Sequence, residues 1–196
     1  MIKAILFDAD GVIINKPRLF SEVLAERLGL PLATVVLFWQ EAFGPCLVGK
    51  ADLKQQLLPY LEQWQWSGSV EDLLALWFKS EHYIDERVVA QIKDLKSRGI
   101  ECFLSTNQEK YRTDYMVEHM NFGQLFPQIF SSAYVGHKKP HAEYFSAVLE
   151  QLPHVTKEEM VLWDDDPENI AGAKSFGIQA ELYTNYDAFQ HKVTRY

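Results

Sequence analysis

Five short apolar runs alternate with segments of helical periodicity, and this alternation restricts the fold more than any other feature of the chain. The first run, Ile2 to Phe7, stops at Asp8 in the manner of a buried strand. Similar runs occupy Ile100 to Leu104, Gln128 to Phe130, Met160 to Trp163 and Ile178 to Leu182. Between them lie amphipathic stretches. Val88, Val89, Ile92 and Leu95 form a stripe ending at Gly99, and further helices are expected over Glu109 to Met120, Ala142 to Leu152 and Glu168 to Phe176. Strand and helix in alternation imply an α/β fold, a parallel sheet with right-handed crossovers. Ligands of such sheets sit beyond the carboxyl ends of the strands.

Residues 17 to 84 break the alternation and read as helix throughout. Phe20, Val23, Leu24 and Leu28 recur at helical spacing before Gly29 and Pro31, and a second helix covers Ala33 to Phe43. Leu53, Leu57, Leu58 and Leu61 mark a third. Ser69 begins a fourth, with Asp72 three residues on as a weaker capping box. The expected organisation is a core of residues 1–16 and 85–196 with a four-helix cap inserted at 17–84.

Charge limits the partners. The formal net charge is -8 without any basic run, which argues against nucleic-acid binding, since that needs a cationic surface. An anionic substrate would then need a local cation or metal. Cys46 and Cys102 form no Cys-x-x-Cys pair, so neither a zinc site nor a disulfide framework is expected, and the default setting is reducing and cytoplasmic. The stretch from Met1 to Phe7 is too short for a signal peptide or membrane span, so no membrane association is expected. The oligomeric state has no sequence signal.

Candidate chemistry gathers where the runs end. Asp8-Ala9-Asp10-Gly11 follows the first run. One carboxylate there can attack phosphorus, and a second, two residues on, can handle the proton of the leaving and attacking oxygens. Alone the motif also fits a plain turn; a calcium loop would need further oxygen ligands, whereas the chain continues Val12-Ile13-Ile14. Ser105-Thr106-Asn107 ends the second run, where a hydroxyl and backbone N–H groups can cradle phosphate, although taken alone the three read as a helix cap. Lys139 before Pro140 can neutralise a carboxylate or a phosphoryl group, although a Lys-Pro pair is more often plain surface. Trp163-Asp164-Asp165-Asp166-Pro167 ends the fourth run. Asp166 before proline suits a helix N-cap; Asp164 and Asp165 have no such explanation, and oxygen ligands suit magnesium rather than zinc.

Four such elements, in this order at successive strand ends, resemble the motifs of the haloacid dehalogenase superfamily. The resemblance spans nearly the whole chain and implies a Rossmann-like core with a helical cap. It implies Asp8 as nucleophile and Asp10 as general acid/base, with Thr106 and Asn107 binding phosphate (Ser105 being the alternative if the strand ends earlier). Lys139, ahead of Lys138, would be the third motif. Mg2+ would be held by the Asp8 side chain, the Asp10 backbone carbonyl and Asp165, with Asp164 supporting Lys139 and the metal. Asp166 departs from the small polar residue common at that place.

Asp10 orders the possible reactions. Members that cleave carbon–halogen or carbon–phosphorus bonds lack an acid there, whereas ester cleavage must protonate a poor leaving group. The expected activity is therefore a Mg2+-dependent phosphatase acting on a small phosphorylated metabolite. A sugar-phosphate mutase of the β-phosphoglucomutase type and a catalytically silent binding protein are the alternatives. Lys50 reads as a solvated lysine rather than a substrate contact. Phe38, Trp39, Phe43, Trp64, Trp66, Trp77 and Phe78 are expected mostly to hold the cap together.

Overall fold

The computed structural model describes residues 1–196. From β1 (Ala4–Phe7) the chain passes through four helices, α1 (Phe20–Leu28), α2 (Leu32–Glu41), α3 (Leu53–Gln63) and α4 (Val70–Ser80). It returns through α5 (Glu86–Ser97) to β2 (Glu101–Thr106), then runs through α6 (Lys110–His119) and α7 (Phe122–Leu125) to β3 (Ile129–Ser131). After α8 (Ser132–Val135) and α9 (Ala142–Glu150) come β4 (Met160–Asp164), α10 (Pro167–Phe176), β5 (Gln179–Leu182) and α11 (Tyr186–Val193).

The five strands form one sheet in the order β3-β2-β1-β4-β5, parallel at every pair. All four residues of β1 are buried, as expected of a central strand covered on both faces. Its side chains alternate. Ile5 and Phe7 enter a cluster with Val88 and Ile92 of α5, Met116 of α6 and Phe189 of α11. Ala4 and Leu6 enter another with Phe145 and Val148 of α9 and Ile170 and Ala173 of α10. Helices thus cover both faces of the α/β sheet. Strand and helix positions follow the sequence pattern, with ends displaced by one or two residues.

Helices α1 to α4 bury a third apolar cluster among themselves, including Phe20, Leu24, Phe38, Leu57, Trp64 and Trp77. Side chains cap the starts of α3 and α4, and the sequence predicts the second of these caps. Asp52 accepts from the Gln55 N–H at 3.1 Å, and at the start of α4 the Ser69 hydroxyl accepts from the Asp72 N–H while the Asp72 carboxylate accepts from the Ser69 N–H at 2.8 Å. The helical segment is tied to the sheet where the chain leaves and returns. There the Asn15 N–H meets the Tyr83 carbonyl at 2.9 Å and the Asp85 N–H meets the Ile13 carbonyl at 2.8 Å. No helix is long and apolar enough to cross a membrane.

Candidate active site

Register brings the acids together. Phe7 pairs with Trp163 on one side and Leu104 on the other, so Asp8 leaves the sheet level with Asp164 and Ser105. The Asp8 N–H still bonds the Trp163 carbonyl at 2.9 Å. Between these strands lies Lys139, only 1% exposed, its ammonium 3.0 Å from Asp8 and 2.6 Å from Asp164. It also donates to the Ser105 carbonyl at 2.7 Å. Burial alone would lower the lysine's pKa, but Asp8 and Asp164 outweigh it and hold the ammonium charged. The Lys139 backbone is clamped by Asn107, whose amide donates to its carbonyl and accepts from its N–H, both at 2.9 Å.

Asp164 is fully saturated. Its carboxylate takes bonds from Lys139, from the Asp166 N–H at 2.9 Å and from the Asn169 amide at 3.1 and 3.2 Å. Asp165 differs, for no other side chain donates to it. Burial first, and then Asp164, raises its pKa. Asp8 is pushed up to about 7, chiefly by burial, with Lys139 opposing and Asp164 and Asp10 adding repulsion. Asp166 caps α10, accepting from the Glu168 N–H at 2.8 Å ahead of Pro167.

Carboxylate oxygens of Asp8, Asp164 and Asp165 lie within 4.8 Å of one another. Of these three acids only Asp8 and Asp164 contact the ammonium, every donor is a hard oxygen, and the Asp165 carboxylate accepts from no other side chain. This donor set fits a small divalent cation such as Mg2+. Gly11 leaves room for the Asp165 carboxylate. At φ +81° it occupies the left-handed region, and a Cβ there would stand 2.0 Å from the Asp165 carboxylate.

Asp10 lies outside this triad. Its two oxygens accept from Lys16 at 2.9 Å and from Gln108 at 3.0 Å. Lys16 also reaches Glu81 at 3.3 Å, and Glu81 accepts from the buried Phe20 N–H at 3.0 Å. Arg112, buried against this group, donates to the Phe78 and Glu81 carbonyls at 2.9 and 3.2 Å. Asp8, Asp10, Thr106, Asn107 and Asp165 line one cavity of about 690 Å³.

The helix-cap reading of Ser105-Thr106-Asn107 is incorrect. Glu109 caps α6, its carboxylate accepting from the Tyr111 N–H at 2.8 Å and from the Arg112 N–H. The Ser105 hydroxyl is turned to the buried Tyr144 hydroxyl at 2.8 Å, which leaves Thr106 facing the cavity. Of the aromatics on and beside α2 to α4, Phe38, Trp64 and Phe78 are buried structure, whereas Trp39, Phe43 and Trp77 also line a hollow beside Asp10. Lys50 is exposed and away from these acids, against Cys46 and Lys110. Lys16, Glu81, Gln108, Arg112 and Asn169 escaped the sequence reading. Gln108 is 98 residues from Asp10 and Glu81 is 65 from Lys16, so no local spacing announces them.

A parallel sheet with acids and one lysine gathered at its carboxyl ends puts the candidate site where the ligands of such sheets bind. The family model of haloacid dehalogenase-like hydrolases matches residues 5–182, and the chain belongs to that family. Over 192 residues it is 24% identical to a phosphorylated carbohydrates phosphatase of Thermotoga maritima, covering 91% of this chain and 83% of that protein. A sesquiterpene phosphatase of Aspergillus oryzae is 30% identical over 94 residues, 48% of this chain; the match spans about half, 47%, of that relative's length. Among solved structures, an HAD family enzyme of Bacteroides thetaiotaomicron in complex with magnesium and inorganic phosphate superposes with a TM-score of 0.82 at 18% identity, covering 96% of this chain and 99% of that one.

Proposed function

We propose that this hydrolase is a Mg2+-dependent phosphatase of small phosphomonoesters, working through a phosphoryl group carried on Asp8. The observation that carries the reading is the placement of two acids, Asp8 and Asp10, on one cavity with Thr106, Asn107 and Asp165. Two of the relatives described above are named as phosphatases, which supports the same class. Asp8, Asp165 and the Asp10 backbone carbonyl would hold Mg2+. When bound, the metal offsets negative charge on the phosphoryl oxygens and orients the group.

Lys139 is fixed by Asp164 and Asn107, so its ammonium meets phosphoryl charge without reorganisation. Asp8 attacks phosphorus in line, and the ester P–O bond breaks. Asp10 would exchange its bond from Lys16 or Gln108 for a proton, give that proton to the departing alkoxide, and then take one from the water that attacks the aspartyl-phosphate, releasing inorganic phosphate. Thr106 and the backbone N–H groups beyond β2 are suited to hold the phosphoryl oxygens. Residues 17–84 form the cap and residues 1–16 and 85–196 the catalytic core in this reading. A cap of this size excludes bulk water and polymeric ligands, and the charge of -8 disfavours nucleic acid.

A sugar-phosphate mutase would use the same groups but return the phosphoryl to the sugar. The test supplies a panel of small phosphate esters, together with glucose 1-phosphate and a trace of its 1,6-bisphosphate. Stoichiometric phosphate release, lost with a chelator and restored by Mg2+, is expected. Isomerisation with little phosphate released would move the assignment to a mutase, and full activity without metal would overturn the metal's role.

A further inference from the structure

Beside Asp10 the strand-end cavity continues into a second hollow of about 460 Å³. Both are lined by Asp10, Lys16, Leu19 and Asn107. An acid that protonates the leaving oxygen must touch the alcohol half of the ester. With phosphorus at Asp8, that half therefore extends past Asp10 into the second hollow.

Six apolar side chains form one part of the wall of this hollow. Phe20, Val36, Trp39, Phe43 and Trp77 line it, with Leu19 at the mouth. The rings support one another. Phe20 stacks on Trp77 at 5.2 Å, and Trp39 meets the same indole edge-on at 5.3 Å. Leu19 is 54% exposed, and Trp39 and Phe43 are half-buried, so apolar surface faces solvent next to the proposed acid.

Aromatic walls alone would not decide the ligand, since rings also stack on the C–H faces of sugars. The polar groups decide it. Lys16 and Gln108 are committed to Asp10, Glu81 to Lys16 and the Phe20 N–H, and Asn107 to Lys139. Two guanidinium nitrogens of Arg112 are spent on backbone carbonyls, leaving only its Nε without a partner. Ser21 and Gln40 complete the lining. Most of these polar groups already hold bonds to one another, so the hydroxyls of a polyol would compete with those bonds while its ring lay against six apolar side chains, and each hydroxyl left unsatisfied weakens binding.

We propose that the alcohol half of the substrate is apolar, an arylalkyl or isoprenoid-type alcohol bearing few polar substituents, seated against Trp39, Phe43 and Trp77. This rests on the phosphatase reading. The substrates that test it are four monophosphates of primary alcohols: 2-phenylethyl, citronellyl, glycerol and glucose 6-phosphate. Their leaving groups are similar, so differences in kcat/KM report how the alcohol is held.

The full-length enzyme with Mg2+ should favour the apolar esters over the polar pair by about tenfold or more, and the phenylethyl and citronellyl arms separate aryl from isoprenoid chemistry. Trp39→Ala should shrink that ratio mainly by raising KM for the apolar esters, with Phe43→Leu as a milder second variant. Equal or better turnover of glycerol or glucose 6-phosphate in the unmodified enzyme overturns the inference while leaving a phosphatase. So does a Trp39→Ala enzyme whose kcat/KM falls equally for all four. No phosphate from any ester, nor from acetyl phosphate, overturns the phosphatase reading and this inference with it.

Discussion

Gly11 and Asp165 occupy the same small volume, and the contact makes a separable prediction at the residue scale. Gly11→Ala puts a methyl 2.0 Å from the Asp165 carboxylate at a backbone φ of +81°, so Mg2+ affinity and turnover should both collapse. Gly99→Ala is the control. Its φ is +87° but nothing lies within 4 Å of an added Cβ, so it should cost stability of about 1 kcal/mol and leave metal binding intact. Titration calorimetry with Mg2+ on both variants decides, and equal affinities would remove Asp165 from the metal. Glu109 supplies a pH test away from the acids. Two backbone N–H groups of α6 favour its charged form, but burial wins and pushes its carboxyl from 4.5 to about 7. The folded state therefore binds the proton more tightly, so the stability this group contributes is full below about pH 4.5 and is lost as pH rises through about 7. Glu109→Gln should raise Tm by about 2 to 6 °C at pH 8 and give no gain at pH 4.5; a lower Tm at pH 8 would contradict the burial argument. The acids at Asp8, Asp10, Asp164 and Asp165 were legible as candidates because several carboxylates crowded at strand ends repel one another unless a cation or partner offsets them. Lys16, Glu81 and Arg112 were not, because their partners lie on segments far apart in the sequence that meet only in the folded chain.

At the scale of elements, legibility followed local chemistry. The α4 start was readable because Ser69 and Asp72 bond each other's backbone. Ser69→Ala should destabilise the protein by about 1 kcal/mol in urea unfolding, and Ser69→Asp by little, since aspartate also caps. An unchanged midpoint for Ser69→Ala would mean that packing of Leu73 and Trp77 alone sets that helix end. The four-residue helices α7 and α8 carry no periodicity of their own and form only because Phe122 and Ala133 are buried by their surroundings. α11 carries a signal in its sequence. Asn185 accepts from the Ala188 N–H at 2.9 Å, and Phe189 and Val193 follow at helical spacing and are buried. Strand ends shifted by a residue or two because ladder pairing, not hydrophobicity, decides where a strand stops.

Across the whole molecule, two apolar clusters sandwich the sheet and a third holds the inserted helices. Glu81 joins the parts, buried at 6% exposure and bonded to Lys16 and the Phe20 N–H. Glu81→Ala leaves those donors and Arg112 without a carboxylate and should cost about 3 kcal/mol, with Glu81→Gln recovering part of it by accepting again from Phe20. A loss under about 0.5 kcal/mol would mean that water replaces the carboxylate at no cost. The central claim is that Asp8 carries the phosphoryl group. Its most direct test is an acid quench of the Asp10→Asn variant after mixing with acetyl phosphate and Mg2+, followed by peptide mass analysis. A phosphoryl adduct on the peptide containing Asp8, absent from the Asp8→Asn variant, is the predicted result; an adduct that persists in Asp8→Asn, or no adduct in any variant, would contradict it.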